Sequence, residues 1–150
     1  MSLTEKISSD LINAMKAKDK VSLEAIRAAK TAFVLARSEK GADTVLSAED
    51  EIKIIQKLVK QRRESAAIYN EQNRKDLADK ETSEADILEK YLPAKISEEE
   101  LANLIKGIIA RLGAKSPADM GKVMGVATKE LAGKADGKEI SALVKDLLAM

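Results

Sequence analysis

SAEDEIKIIQKLVKQRRESAAIYNEQN, residues 47–73, is the stretch whose reading decides the fold. Ser47 followed by Asp50 is a capping-box start: the serine oxygen accepts from the amide of the third helical residue, and the acid faces the positive helix end. No Gly or Pro interrupts the stretch up to Asn73. At about 100° per residue, Ile52, Ile54, Ile55, Leu58, Val59, Ala66 and Tyr69 fall in a band under half the circumference, which other parts of the chain must cover. With a rise of 1.5 Å per residue such a helix runs about 40 Å, enough to act as the spine of a small domain. Arg62 projects from the middle of the band, where a lone charge is costly unless a carboxylate and other acceptors meet it. Arg62 is therefore expected to be ion-paired, with Asp76, Glu81 or Glu84 the nearest acids in the segment after the spine.

A chain of 150 residues, 45% of them hydrophobic, has material for one ordinary domain or two small ones. Aromatics are only 2%, so the core is aliphatic, a composition of packed helices more than of a sheet. The 26 basic and 25 acidic side chains nearly cancel, and splitting at Pro93 leaves 17 against 17 before it and 9 against 8 after it. Any polyanion site is then a local patch, and neither DNA nor a membrane is an expected partner. The lack of both Cys and His removes thiol nucleophiles, disulfides, the usual zinc sites and imidazole acid–base chemistry. No metal and no cofactor is expected. The start, MSLTEKISSDLINAMKAKDK, lacks an apolar h-region and contains acids, and no segment approaches 18 apolar residues, so the expectation is a soluble cytoplasmic protein.

In chain order, Ser2 and Glu5 form another capping box ahead of Leu3, Ile7, Leu11, Ala14 and Met15 at helical spacing. Asp19 caps the next helix, whose Val21, Leu23, Ile26, Ala28, Ala29, Ala32, Phe33, Val34 and Leu35 occupy most of the circumference and predict burial between neighbours. Gly41 serves as its C-cap. After the spine, RKDLADKETSEADILEKYL reads as a helix with a break near Thr82-Ser83. Pro93 disfavours helical geometry at Leu92 and makes YLPAK an extended junction, so residues 1–92 form one domain and 93–150 a second. The second holds three short helices. Ser97 caps the first, which Gly113 ends; Ser116-Pro117 with Asp119 starts the next, which Gly133 closes; Asp136 with Glu139 starts the last. The fold class is all-α: an N-terminal helical domain built on a long helix, then a three-helix bundle.

Catalytic signals are sparse. No serine sits in a G-x-S-x-G elbow and no histidine exists to activate one, which leaves a Ser–Lys pair as the open arrangement. Carboxylate pairs such as Asp50-Glu51 and the Glu98–Glu100 run lie in first helical turns, where caps and dipoles account for them. Lys53, Lys57 and Lys60 share a side of the spine with Glu49 and Glu64, at the spacing of solvated ion pairs. The segment DMGKVMG, residues 119–125, stands apart, because two glycines four apart in a helix cost about 1 kcal/mol each against alanine. Either Gly121 and Gly125 let another element of the chain approach closely, or the bare face admits an outside partner such as an RNA backbone. Lys122, Lys129, Lys134 and Lys138 would then meet the phosphates. Without aromatics this is no stacking platform, but structured RNA read by shape needs none.

Lys60-Gln-Arg62, Glu64-Ser65, Tyr69, Arg74-x-Asp76-Leu77-Ala78, Glu81, Glu84, Ile87-Leu88, Tyr91-Leu92-Pro93 and Ser97-x-Glu99-Glu100-Leu101, with DMGKVMG and Gly133-Lys-Ala-Asp-Gly137, resemble the pattern of YqeY-like proteins over essentially the whole chain. That family is related to the tail domain of GatB, a subunit of the glutamine-dependent tRNA amidotransferase, in which the tail is a helical tRNA-contacting region. The resemblance implies an all-helical accessory protein that binds tRNA or a tRNA–protein complex, linked by family to carbon–nitrogen ligase activity with glutamine as amido donor. Its C-terminal domain would be the GatB-tail-like part. The catalytic body of the relatives is missing here, so no catalytic residue is assigned and the chain is not expected to be an enzyme alone. The alternative is a protein–protein adaptor with no RNA role. Asn73 stands where the family pattern places a glycine, which leaves the shape of that turn open.

Overall fold

The computed structural model describes residues 2–41 and 43–149, and these form helices without strands. The helices are α1 (Leu3–Ala17), α2 (Lys20–Lys40), α3 (Ala48–Glu71), α4 (Lys75–Glu89), α5 (Glu98–Leu112), α6 (Met120–Glu130) and α7 (Gly137–Ala149), with a 3-10 turn at Pro117–Asp119. The chain divides into two compact units, one up to Leu92 and one from Pro93.

Four helices start on the side-chain caps that their sequences announce. Ser2, Asp19, Ser47 and Ser97 accept from the backbone N–H of Glu5, Ser22, Asp50 and Glu100 at 3.1–3.2 Å. Three helix ends share one device. Lys18, Asn73 and Gly113 adopt left-handed backbone with φ of 55°, 58° and 66°. In each, that residue's N–H and the next one bond back to carbonyls of the last turn: Lys18 to Met15 and Asp19 to Ala14, Asn73 to Asn70 and Arg74 to Tyr69, Gly113 to Ala110 and Ala114 to Ile109. Asn73 therefore makes the turn a glycine would make, since asparagine tolerates left-handed geometry better than most residues.

Unit 1 is α1 to α4. Helix α3 packs most extensively on α4, α1 lies on α2, and α2 also covers α4. Ile7, Ile26, Ile55, Leu88 and the single phenylalanine, Phe33, share its core. Ile55, Val59 and Ala66 are the buried stripe of α3. Helix α4 runs unbroken through Thr82-Ser83, where a break was expected, because Ala78, Ala85 and Leu88 on either side are buried on one face and hold it straight. Burial of α2 all round is also corrected. Ala25, Ile26, Ala29 and Phe33 are buried, whereas Val34 and Leu35 are 54% and 59% exposed. Met15 of α1 likewise faces solvent. Apolar periodicity names candidates for burial, but neighbours cover one side of these helices only.

Glu51 is the largest departure from the first-turn reading of its residue type. It is only 3% exposed, and its Oε2 accepts from both the backbone N–H and the hydroxyl of Thr4, at 2.6 Å each. One carboxylate thus sits at the positive start of α1 while belonging to the first turn of α3. Tyr91, one residue before Leu92, donates its hydroxyl to the Asp10 carboxylate at 2.5 Å, and the Lys6 ammonium lies 5.5 Å from its ring centroid. Burial, then the bond to Asp10, pushes the Tyr91 phenol well above its ordinary 10.0.

Unit 2 gathers Leu101, Ile105 and Ile108 of α5, Val123 and Ala127 of α6, and Ile140, Val144 and Leu148 of α7 around one core, closed by Leu131 and Ala135. The Ile96 N–H donates to the Lys134 carbonyl at 3.1 Å and ties the incoming segment to the α6–α7 turn. Ser116 makes no side-chain cap bond; instead Pro117 opens the 3-10 turn, and Asp119 accepts from the Lys115 N–H at 3.0 Å. Helix α6 ends at Glu130, ahead of Gly133, whose φ of 79° serves the turn beyond.

Glu51→Ala should lower the stability of unit 1 by about 2 kcal/mol, since it orphans a helix-start donor bonded to a charged group; urea unfolding followed by circular dichroism reads this as a lower midpoint at unchanged slope. For Tyr91, a folded pKa above the unfolded one means a contribution fully present below pH 10.0 and lost as the pH rises through the folded value. An ultraviolet titration should show a tyrosine phase well above the ordinary 10.0, and Tyr91→Phe should abolish it.

Candidate functional site

The sequence singles out Gly121, Lys122, Gly125, Lys129, Lys134 and Lys138, and α6 carries the first four. At about 100° per residue these four lie within an arc of roughly 100°, while Val123 and Ala127 point the opposite way, about 200° and 240° from Gly121. Val123 and Ala127 are the fully buried positions of α6, and Gly121, Lys122, Gly125 and Lys129 are all exposed. The glycines are therefore on the back of the helix. A Cβ built on either one meets no atom within 4 Å outside the helix's own backbone.

That geometry leaves the packing account without support: no element of unit 2 approaches the helix at Gly121 or Gly125. Their helix-propensity cost stands without a packing gain. What remains is two bare backbone positions about 6 Å apart, with two lysines along one edge of them. Among the described residues, Lys122, Lys129, Lys134 and Lys138 have no carboxylate within 4.0 Å. Their charge is available to outside anions. The Asp119 carboxylate lies at the start of α6, so an incoming phosphate would meet the lysines and not the helix N-terminus. Lys134 stands in the α6–α7 turn and Lys138 in the first turn of α7, both exposed. They sit apart from the α6 strip in sequence and element.

The residues named for structure lie in unit 1. Arg62 keeps 16% of its side chain exposed, and its Nε stands 3.7 Å from Oε1 of Glu84, whose side chain is 9% exposed. Of the three acids considered, Glu84 faces Arg62. Asp76 instead grips Arg74 through both oxygens at 3.2 Å, and Glu81 makes no ion pair within 4.0 Å among the described residues. Arg62 also donates from Nη1 to the Leu58 carbonyl at 3.3 Å, but its Nε is buried without a hydrogen bond. Burial pushes the Glu84 carboxyl above its ordinary range, Arg62 pulls it back and Glu81 pushes it further. Ionised Glu84 thus opposes folding: its contribution is most favourable below 4.5 and is lost as the pH rises through the raised folded value. On the spine, Lys53 pairs with Glu49 at 2.9 Å, as solvated i, i+4 charges do.

Sequence reasoning missed Glu51 as a buried group. The signal was present, for Glu51, Ile55 and Val59 recur at four-residue spacing on one face, so the acid continues the buried stripe by one turn. It missed the Tyr91–Asp10 bond because 81 residues separate the partners.

Among known proteins, a family model described as Yqey-like protein matches residues 4–148. A protein of Pyrenophora tritici-repentis (strain Pt-1C-BFP), named Altered inheritance of mitochondria protein 41, mitochondrial, is 28% identical over 147 residues, which span 95% of this chain and 79% of that protein.

Gly121→Ala and Gly125→Ala should each raise the thermal stability of unit 2 by about 0.5–1 kcal/mol, because the added methyl meets open solvent and removes glycine's entropy cost. A melting curve that falls for either variant would show that the helix back is covered.

Proposed function

This chain belongs to the YqeY-like protein family, and we propose that within it the chain serves as an accessory helical protein that binds tRNA, or a tRNA–protein complex, through its C-terminal unit. The finer architecture we assign is an N-terminal domain built on α3 and, after it, a three-helix, GatB-tail-like bundle. One observation carries the reading: Gly121 and Gly125 lie bare on the exposed back of α6 beside Lys122 and Lys129, at a helix-stability cost with no packing return. Two helix positions without Cβ atoms let a sugar–phosphate backbone come close, and the unpaired ammonium groups along one edge of them supply the counter-charge. The chain carries no aromatic side chain on this strip, which favours a folded, shape-read RNA over an extended single strand.

Catalysis is not assigned to this chain. The family link to carbon–nitrogen ligase chemistry with glutamine as amido donor describes a complex in which a helical tail positions tRNA, and support of such a reaction is the enzyme-class form of the proposal. The compartment we assign is the cytoplasm; no described helix is long and apolar enough to cross a membrane. The fungal relative is mitochondrial by name, and organellar tRNA offers the same chemistry. A protein–protein adaptor without RNA is the second reading, favoured by the near-cancellation of 26 basic and 25 acidic side chains.

Titration of fluorescent bulk tRNA with the full chain should give saturable binding at low salt that weakens steeply as salt rises. Lys122→Glu with Lys129→Glu should lower the affinity about tenfold or more, and Gly121→Ala with Gly125→Ala should weaken binding while stabilising the fold. No binding at low salt would remove the RNA reading and leave the adaptor, which a pull-down that survives nuclease treatment would support.

A further inference from the structure

The outward face of α2 goes unused by the tRNA reading. Arg27, Lys30, Thr31, Val34 and Leu35 recur at i, i+3, i+4, i+7 and i+8, all are exposed, and together they line a shallow groove of about 280 Å³. The core of unit 1 lies on the other side of the same helix, at Ala25, Ile26, Ala29 and Phe33. Two aliphatic side chains more than half exposed, side by side in a concavity, are an unusual use of a solvent face. The charges around them are equally unspent. Among the described residues, Arg27 and Lys30, and the flanking Lys20 and Arg37, have no carboxylate within 4.0 Å. Of the acids of α2, Glu24 is drawn to Lys80 of α4 at 3.1 Å, and Glu39 lies one turn beyond Leu35 at the end of the face.

We propose that this groove seats an acidic amphipathic helix of a partner protein, with an apolar side chain packed on Val34 and Leu35 and carboxylates meeting Arg27 and Lys30. The combination selects the occupant. A nucleic-acid backbone would satisfy the cations but leave Val34 and Leu35 without apolar contact. A bilayer surface calls for a broad apolar stripe on the helix, whereas here two aliphatic residues line a hollow beside cations. An amphipathic helix presents apolar anchors at i, i+3 and i+4 with charges along their edges, which matches both halves of the face. The groove spans about two turns, so the partner segment needs only two or three anchor residues, a weak and exchangeable mode of docking. The site lies in unit 1 and does not depend on the α6 strip.

The probe is a fluorescein-labelled synthetic helix of about five turns, with leucines at i, i+4 and i+7 and flanking glutamates. It is titrated with the full chain at low and high salt, alongside a twin in which lysines replace the glutamates. The expected result is saturable binding of the acidic peptide alone, weakened by salt, with amide NMR shifts confined to α2 between Arg27 and Leu35. Arg27→Glu with Lys30→Glu should lower its affinity about tenfold or more, and Val34→Ser with Leu35→Ser should do the same. Since all four positions are exposed, these variants should keep the helical circular dichroism of the parent, and tRNA binding through Lys122 and Lys129 should be unchanged. No saturable binding of the acidic peptide, shifts mapped elsewhere, or indifference to the charge reversal would overturn the proposal. So would phosphatidylserine vesicles, bulk tRNA or a second copy of the chain occupying the face in a manner lost in the Arg27→Glu, Lys30→Glu variant.

Discussion

A charge placed on the covered side of a helix has to be met, and α3 carries two ionisable groups there. Glu51, in its first turn, is met by the amide and hydroxyl of Thr4 on α1. Arg62, midway, is met by Glu84 on α4 and by the carbonyl of Leu58 one turn back. Aliphatic contacts tolerate repacking and small slides, whereas hydrogen bonds to buried ions are directional and costly to leave unmade. These contacts therefore fix the rotation of α3 against two different neighbours. They are unequal in quality: Glu51 has short bonds, while the Arg62–Glu84 pair is looser and leaves Nε of Arg62 unsatisfied. The upward push on the Glu84 carboxyl comes from the same incomplete compensation.

Unit 2 is organised by a different economy. Its core is aliphatic throughout, with α5, α6 and α7 each giving one buried stripe. What distinguishes it lies on the reverse side of α6, where two glycines weaken the helix and fill no close contact. Weakness retained on a solvent face without packing return is the physical basis of the tRNA proposal. The outward face of α2 shows the converse, aliphatic side chains retained in water beside unpaired cations. One surface offers bare backbone and charge, the other apolar volume and charge, and the two suit chemically different partners.

Helix ends were unevenly legible. Gly113 announces its turn because glycine is the residue that enters left-handed geometry freely, but Lys18 and Asn73 make the same motif with residues that carry a Cβ. Lys18 is compelled by its setting: α1 and α2 are joined by two residues, and Asp19 must bond back to Ala14 while capping α2. Caps at helix starts were readable because a serine or aspartate three residues before a free amide acts locally. Ser116 is the exception, where Pro117 opens a 3-10 turn and the cap bond is not made.

The sequence by itself determined the all-helical class, the positions of the starts at Ser2, Asp19, Ser47 and Ser97, the aliphatic stripes, and the candidate strip at Gly121–Lys129, because periodicity, capping and glycine cost act within a few residues. Only the tertiary structure decided that Glu84 is the acid facing Arg62, that Glu51 reaches Thr4, that Tyr91 holds Asp10, and that the backs of α2 and α6 stay uncovered. Each of these depends on which helix lies across from which, and one residue's pattern carries no record of the neighbour that will or will not come to cover it.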